Sequence, residues 1–289
     1  GLLRHVLVRH SRAAGEVLVC LVTATPELPG SRAFVAKLRQ LCPQVSTVVQ
    51  NINPRHSSAV LGSAEKILYG RGCIQDSLCG VRFQVSASSF YQVNPVQTEL
   101  LYNQVIAAAA LTGAETLLDA YCGVGTIGLS CAGRARHVLG VEVNRSAVQC
   151  AVQNARLNGI RNARFVCADA GKAMLDLAAS GQRPDVVILD PPAFTKSRSS
   201  VKKAVKGYRE INLRAMKLVR DGGFLATCSC SHFMDYELFT QTIGQAARNV
   251  HKRLRQVEYR TQSPDHPILW AADDSYYLKF YIFQVCDEK

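Results

Sequence analysis

The chain has 289 residues, 34 Lys and Arg against 22 Asp and Glu, and 48% hydrophobic residues. That is ample for a buried core, and with 19% charged residues it excludes a disordered or coiled-coil chain. No apolar run reaches the ~18–20 residues of a membrane helix, the best being Val105 to Leu111, so no membrane association is expected.

The 11 Cys are odd in number and lack paired metal-ligand spacing. They read as reduced thiols, most of them small buried hydrophobes, so no metal is expected. The first residue is Gly rather than Met, as in a trimmed chain, and no signal-peptide pattern precedes the first strand. A cytoplasmic location is the expectation. The net charge of +12 favours a polyanionic partner.

In chain order, Leu7–Thr23 holds two β-rich runs around the Ala-Ala-Gly segment at 13–15, which predicts a hairpin. Ser31–Leu41 predicts a helix capped by Ser31, and Ser46–Gln50 a further strand. Residues 1–95 are therefore expected to form a small α/β lobe, joined through Val81–Pro95 to a second domain over 96–289.

From Glu115 strands and helices alternate. Short apolar runs at Glu115–Cys122, His137–Val143, Ala163–Asp169, Asp185–Asp190 and Gly223–Cys230 predict buried parallel strands. Helical stretches near 126–133, 145–158, 171–180 and 201–220 separate them. A helix over 235–250 and strands near 254–261 and 276–285 follow, the last expected to close the sheet. Repeated strand–helix–strand units require a mostly parallel sheet with helices on both faces, an α/β fold.

Gly123-x-Gly125-x-x-Gly128 lies between the first of these strands and its helix. Glycines there permit a tight turn and close approach of a ligand to a helix N-terminus. Glu142 ends the next strand, where a carboxylate can accept both ribose hydroxyls. This much fits a nicotinamide dinucleotide as well as S-adenosylmethionine. Asp169, placed to accept an adenine amino group, and Asp190-Pro191-Pro192 at the end of the fourth strand favour S-adenosylmethionine. A dinucleotide enzyme needs no acidic Asp-Pro-Pro turn beside the reactive end of its cofactor.

The charge is unevenly placed. Residues 1–190 carry a net +6, and the remaining 99 residues another +6. Lys196, Arg198, Lys202, Lys203, Lys206, Arg209, Arg214, Lys217 and Arg220 oppose a single Glu210 over 196–220. Such a run just after the Asp-Pro-Pro turn suits RNA phosphates, and a solvated helix face is the bland alternative.

The stretches LRHVLVRHSRAAGEVLVCLVT, SSFYQVNPVQTELLY, LLDAYCGVGTIGLS, GVEVNRSAVQCAVQNARLNG and FVCADA resemble bacterial 23S rRNA uracil-C5 methyltransferases, over residues ~1–185. The stretches DVVILDPPAFTKS, KGYREINLRAMKLVRDGGFLATCSCSH, SPDHPIL and YYLKFYIFQV resemble bacterial large-subunit rRNA cytosine-C5 methyltransferases, over ~185–289. The chain thus looks like a composite, joined at a strand that both families share. The resemblance implies a class I S-adenosylmethionine-dependent, Rossmann-like sheet behind a small α/β lobe that is part of an RNA-binding or central domain. It carries cofactor contacts onto Gln92, Tyr121, Gly123, Gly125, Glu142, Asp169 and Asp190. The uracil-C5 pattern then breaks off: no Ser-Cys-Asn-Pro turn and no His-Val-Glu base follow.

By the same resemblance Cys230, in Thr227-Cys228-Ser229-Cys230-Ser231, is a nucleophile. C5 of a pyrimidine is a poor nucleophile until a thiolate adds at C6. Asp190 is the group to hold the base near N3 or its exocyclic substituent, and a protonated Asp190 favours cytosine. Cys228 shares a face with Cys230 but starts deeper, either as a second catalytic thiol or as a small buried residue. Lys196 suits an RNA phosphate. Tyr208 is either a base-stacking surface or a packing residue, and His266 in Asp265-His266-Pro267 either a proton shuttle or a turn residue. The expectation is an enzyme that methylates ribosomal RNA at cytosine C5, with a uracil-C5 enzyme as the alternative. A third reading is an inactive composite that binds only S-adenosylmethionine or RNA.

Overall fold

The structure, a computed structural model, describes residues 1–55, 59–92, 94–195, 197–272 and 275–288. The chain divides into two compact units, Gly1–Val93 and Asn94–Lys289.

In the first unit β1 (Leu3–Ser11) and β2 (Glu16–Thr23) form the predicted hairpin. Helix α1 (Ser31–Leu41) crosses over to β3 (Val45–Ile52), parallel to β2, and β4 (Ala64–Tyr69) completes the sheet β1-β2-β3-β4. Val19, Leu21, Val45 and Val48 bury one face of this sheet against Val35 and Leu38 of α1. Ser31 does not cap α1. The cap is Gly30, with φ 73°, and no side chain bonds the first turn. The chain enters the helix through a left-handed residue that glycine adopts without strain, which makes Ser31 the first helical position.

The stretch 81–95 is not a plain linker. Val81–Ser86 is β6, paired with β5 (Cys73–Leu78), because Phe83 and Val85 alternate into the interior. Asn94 then caps α2 (Pro95–Ala108): its side chain accepts from the Gln97 N–H, and Pro95 occupies the first turn. This capped helix has no counterpart in the sequence reading.

The second unit is a seven-stranded sheet in the order β12-β13-β11-β10-β7-β8-β9. Its elements are β7 (Thr116–Asp119), α3 (Thr126–Ala132), β8 (His137–Glu142), α4 (Arg145–Leu157), β9 (Ala163–Cys167), α5 (Ala170–Ala179) and β10 (Val186–Leu189). They continue with α6 (Val201–Leu218), β11 (Gly223–Ser229), α7 (Tyr236–Asn249), β12 (Lys252–Arg260) and β13 (Lys279–Asp287). Strands β7 to β11 pair in parallel, and β13 runs antiparallel to both its neighbours. This is the expected Rossmann-like sheet.

Alternating side chains supply two cores. Leu118, Val187, Leu189, Leu225 and Tyr281 meet α5, α6 and α7 on one face, while Leu117, Ile188, Ala226, Cys228 and Ile282 meet α2 and α3 on the other. The last strand does not close the sheet. β13 is inserted between β11 and β12, since Phe280 to Phe283 are buried on both faces, and the charge-rich β12 takes the edge. Among the described residues no helix is long and apolar enough to cross a membrane.

Candidate active site

Parallel strands deliver their C-terminal ends to one edge of the sheet, where the connecting loops converge. The loop after β7 turns through Gly123 and Gly125, with φ 54° and 86°, and Gly125 is the N-cap of α3. A Cβ on Gly125 would stand 3.1 Å from Leu129 and from Phe165. Gly125 is therefore closed to a side chain, whereas a Cβ on Gly123 would meet open space and only its positive φ favours glycine. Glu142, at the end of β8, is held from two sides: Oε2 accepts the Gly123 N–H at 3.2 Å and Oε1 the Asn144 N–H at 2.8 Å.

Beneath this loop lies Asp119, wholly buried and not singled out by the sequence. Its Oδ2 accepts the Gly128 N–H at 3.0 Å, and the Tyr121 backbone N–H also bears on this carboxyl. Burial pushes this carboxyl up to about 7; the Gly128 N–H opposes the shift, and Asp190 and Glu142 add to it. A carboxylate ending an otherwise apolar strand, just before glycines, was the signal available.

Asp169 follows β9 and caps α5, accepting the Lys172 N–H at 2.8 Å while remaining exposed. Tyr121 is part-buried. Burial, then the Asp169 charge, raises its phenol to about 12, and Arg214 works against this. Tyr121, Asp169 and Arg214 therefore share one neighbourhood. Gln92 belongs to the first unit, beside its C-terminal end, and is part-buried there.

At the same edge Asp190 follows β10 and Cys230 follows β11. Cys228, 3% exposed, donates its thiol to Asp190 Oδ1 at 2.9 Å. Burial holds the Asp190 carboxyl above the usual carboxylate range, with the Cys228 bond opposing. Cys228 is raised far above an ordinary thiol by burial and then by Asp190. Cys230 is only part-buried, past the strand end; burial and Asp190 raise it, and Lys279 lowers it. The deeper thiol is thus engaged, and the outer one is accessible. The Ser231 hydroxyl donates to the Thr195 carbonyl at 3.0 Å, tying the turn after β11 to the loop after β10.

Several expected residues have other surroundings. Tyr208 is not a stacking surface. It is fully buried on α6, with its ring 4.6 Å from Phe194 and edge-on to Phe239, and its hydroxyl accepts from Ser229 at 3.1 Å. His266 is exposed in a turn closed by its N–H to the Ser263 carbonyl, and its Nδ1 pairs with the Tyr277 hydroxyl at 2.6 Å. Lys196 lies outside the described residues. In the basic run Arg214 is bound to Glu210 and Arg220 to Asp185. Arg198, Lys202, Lys203, Lys206 and Lys217 remain exposed.

Sequence reasoning also missed Lys279. It is completely buried at the start of β13, and its ammonium donates to the Ser231 carbonyl at 2.6 Å and the Tyr277 carbonyl at 2.9 Å. Among the described residues no three His, Cys, Asp or Glu side chains converge as a metal site.

A family profile described as a methyltransferase domain matches residues 111–280. An uncharacterized RNA methyltransferase of Halalkalibacterium halodurans is 41% identical over 234 residues, 78% of this chain and 51% of that protein. An uncharacterized RNA methyltransferase of Enterococcus faecalis is 44% identical over 192 residues, 66% of this chain and 42% of that protein. The chain therefore spans about half the length of these relatives. Among solved structures, the Pyrococcus abyssi tRNA (uracil-54, C5)-methyltransferase in complex with S-adenosyl-L-homocysteine superposes with a TM-score of 0.65 at 23% identity. That likeness covers 98% of this chain and 60% of the other, and it is a likeness of fold.

Proposed function

The chain belongs to the methyltransferase-domain family, and from that premise we propose that it is an S-adenosylmethionine-dependent RNA methyltransferase. Its target on this reading is C5 of a pyrimidine in ribosomal RNA, cytosine ahead of uracil. Strands β7 to β10 form its cofactor half and β11 to β13 its substrate half; the uracil-C5 resemblance runs up to β10, the strand both families share, and the cytosine-C5 resemblance from there on. The relatives named as RNA methyltransferases support the RNA class.

The donor set fits S-adenosylmethionine. Glu142 takes the ribose hydroxyls, Asp169 the adenine amino group, and the Gly123–Gly125 backbone the close approach. Gln92 and Tyr121 add contacts implied by resemblance. Asp119, buried under the loop, accepts the Gly128 N–H and so holds the glycine turn in place beneath the ligand. When bound, S-adenosylmethionine supplies an electrophilic methyl group beside the substrate ring.

Cys230 adds to C6 of the pyrimidine and turns C5 into an enamine carbon. Asp190 holds the base edge. Its raised carboxyl is suited to donate a proton at N3, which stabilises a cytosine adduct more than a uracil adduct. The exposed cations on and before α6 neutralise RNA phosphates. Trp270, fully exposed beside exposed Ile268 and Leu269, offers a face for an unstacked base.

One observation carries this reading: the Cys228–Asp190 hydrogen bond occupies the deep thiol and leaves Cys230 as the accessible sulfur beside the Asp-Pro-Pro turn. The test is incubation with RNA and methyl-labelled S-adenosylmethionine, followed by nucleoside analysis. Label in 5-methylcytidine is expected. Label in 5-methyluridine alone would transfer the assignment to uracil, the reading favoured by the longer N-terminal resemblance. Cofactor binding without label, and without an adduct on 5-fluoropyrimidine RNA, would instead favour the inactive composite.

A further inference from the structure

A lysine with no exposed surface is costly unless its charge is compensated. Lys279 is 0% exposed, and among the described residues none of the ion pairs involves it. Its hydrogen bonds go to two neutral carbonyls, of Ser231 and Tyr277. Cross-strand register sets Lys279 opposite Ser229, between the two thiols of the Cys-Ser-Cys turn. The groups that act on its charge are Cys230 and Cys228 from β11 and its end, and Asp235 ahead of α7. The Tyr276 ring lies 5.8 Å from Nζ, and Asp190 acts on both thiols from the β10 side.

We propose that Lys279 is a positioning residue for the nucleophile: its buried ammonium is the counter-ion of the Cys230 thiolate and pins the turn that presents the sulfur. This rests on the reading of Cys230 as the nucleophile. Nothing in the resemblance or the comparisons assigns Lys279 a role.

The chemistry follows from the geometry. The Cys230 S–H gives its proton to solvent at the open end of β11, and the resulting thiolate pairs with the ammonium. The sulfur lone pair forms the S–C6 bond, the C5=C6 π pair becomes the C4=C5 bond, the C4=N3 π pair moves onto N3, and N3 takes a proton from Asp190, leaving its carboxylate. The Ser231 carbonyl, held by the same ammonium, keeps the residue after Cys230 from turning away. The interaction is mutual: burial lowers Lys279 to about 8, and Cys230 is the first of the charges that pull it back up.

The test measures the ionisation of Cys230 in the full chain, without RNA. Iodoacetamide alkylation of Cys230 is followed from pH 6 to 10 by peptide mass spectrometry, in the wild type and in Lys279→Met. The midpoint of the rate profile should rise by about one unit in the variant, slowing alkylation near neutral pH about tenfold. Superimposable profiles, or a lower midpoint in the variant, would overturn the proposal. Should Lys279→Met not fold, Cys230→Ser gives the reciprocal measurement, with Lys279 titrated by NMR at Nζ and Cε. By linkage the Lys279 midpoint should fall when the thiol is removed, and an unchanged midpoint overturns the proposal. Neither readout needs methylation. A coupled Cys230–Lys279 pair in a chain that transfers no methyl group would sink the functional reading and leave only the ion pairing, whereas uncoupled groups in an active methyltransferase would sink the Lys279 role alone.

Discussion

The thiol of Cys228 and the carboxyl of Asp190 are joined by a 2.9 Å hydrogen bond across 38 positions of sequence. This bond links the ends of two adjacent parallel strands and divides the roles of two otherwise similar cysteines. One sulfur is committed as a donor in the interior, and the other stands at the open end of β11.

Cys230→Ala should abolish both methylation and the covalent complex with 5-fluoropyrimidine RNA. S-adenosylmethionine affinity, read by calorimetry, should stay within about twofold, because none of the proposed cofactor contacts lies on β11 or the turn after it. Cys228→Ala should retain the covalent complex. The reverse ranking of the two variants would exchange their roles.

Asp119 gives a pH signature in stability. Its folded-state pKa of about 7 lies above the ordinary value of 3.8, so the folded chain binds more protons between those values. The ionisation penalty of its burial is therefore absent well below pH 4 and grows as pH rises to about 7, reaching on the order of a few kcal/mol. Asp119→Asn keeps an acceptor for the Gly128 N–H and removes the charge. Thermal unfolding of the cofactor-free chain should show a higher Tm for Asp119→Asn at pH 7.5 and convergence with the wild type near pH 4. Parallel Tm curves at both pH values would contradict this account.

Tyr208 separates packing from RNA contact. Tyr208→Phe leaves the buried Ser229 hydroxyl without its acceptor and should cost about 1–3 kcal/mol in denaturant unfolding. RNA affinity in filter binding should not change. A loss of affinity with unchanged stability would return the ring to a nucleic-acid role.

For the basic helix, the triple substitution of Lys202, Lys203 and Lys206 by Ala should lower the salt slope of RNA binding by about two, at roughly 0.7 per single-strand phosphate contact. Stability should hardly move, since all three side chains are exposed. Arg214→Ala should leave the salt slope intact, because that guanidinium already pairs with Glu210 at 2.8 Å. Equal effects of the triple and single changes would remove α6 from the interface.

By itself the sequence determined the alternation of strands and helices from β7 to α7, and with it the edge that receives the glycine loop, Glu142, Asp169, Asp190 and Cys230. Those conclusions rest on local periodicity, glycine spacing and the rule that parallel strands end together, all of which a linear string carries. Helix α2 escaped because its apolar residues run almost all round, so its cap at Asn94 was the only sharp signal.

Only the tertiary structure decided which thiol is free, which tyrosine is core and which cations face solvent. Cys228 finds its acceptor 38 residues away, Lys279 reaches a carbonyl 48 residues away, and Tyr208 meets Ser229 across 21. It also decided that β13 lies inside the sheet, where its aromatic run is buried on both faces. Hydrogen-bond partners and desolvation are properties of neighbours in space. No spacing rule records which side chain will be taken out of water, and that choice determines whether a thiol, a phenol or an ammonium is available for chemistry.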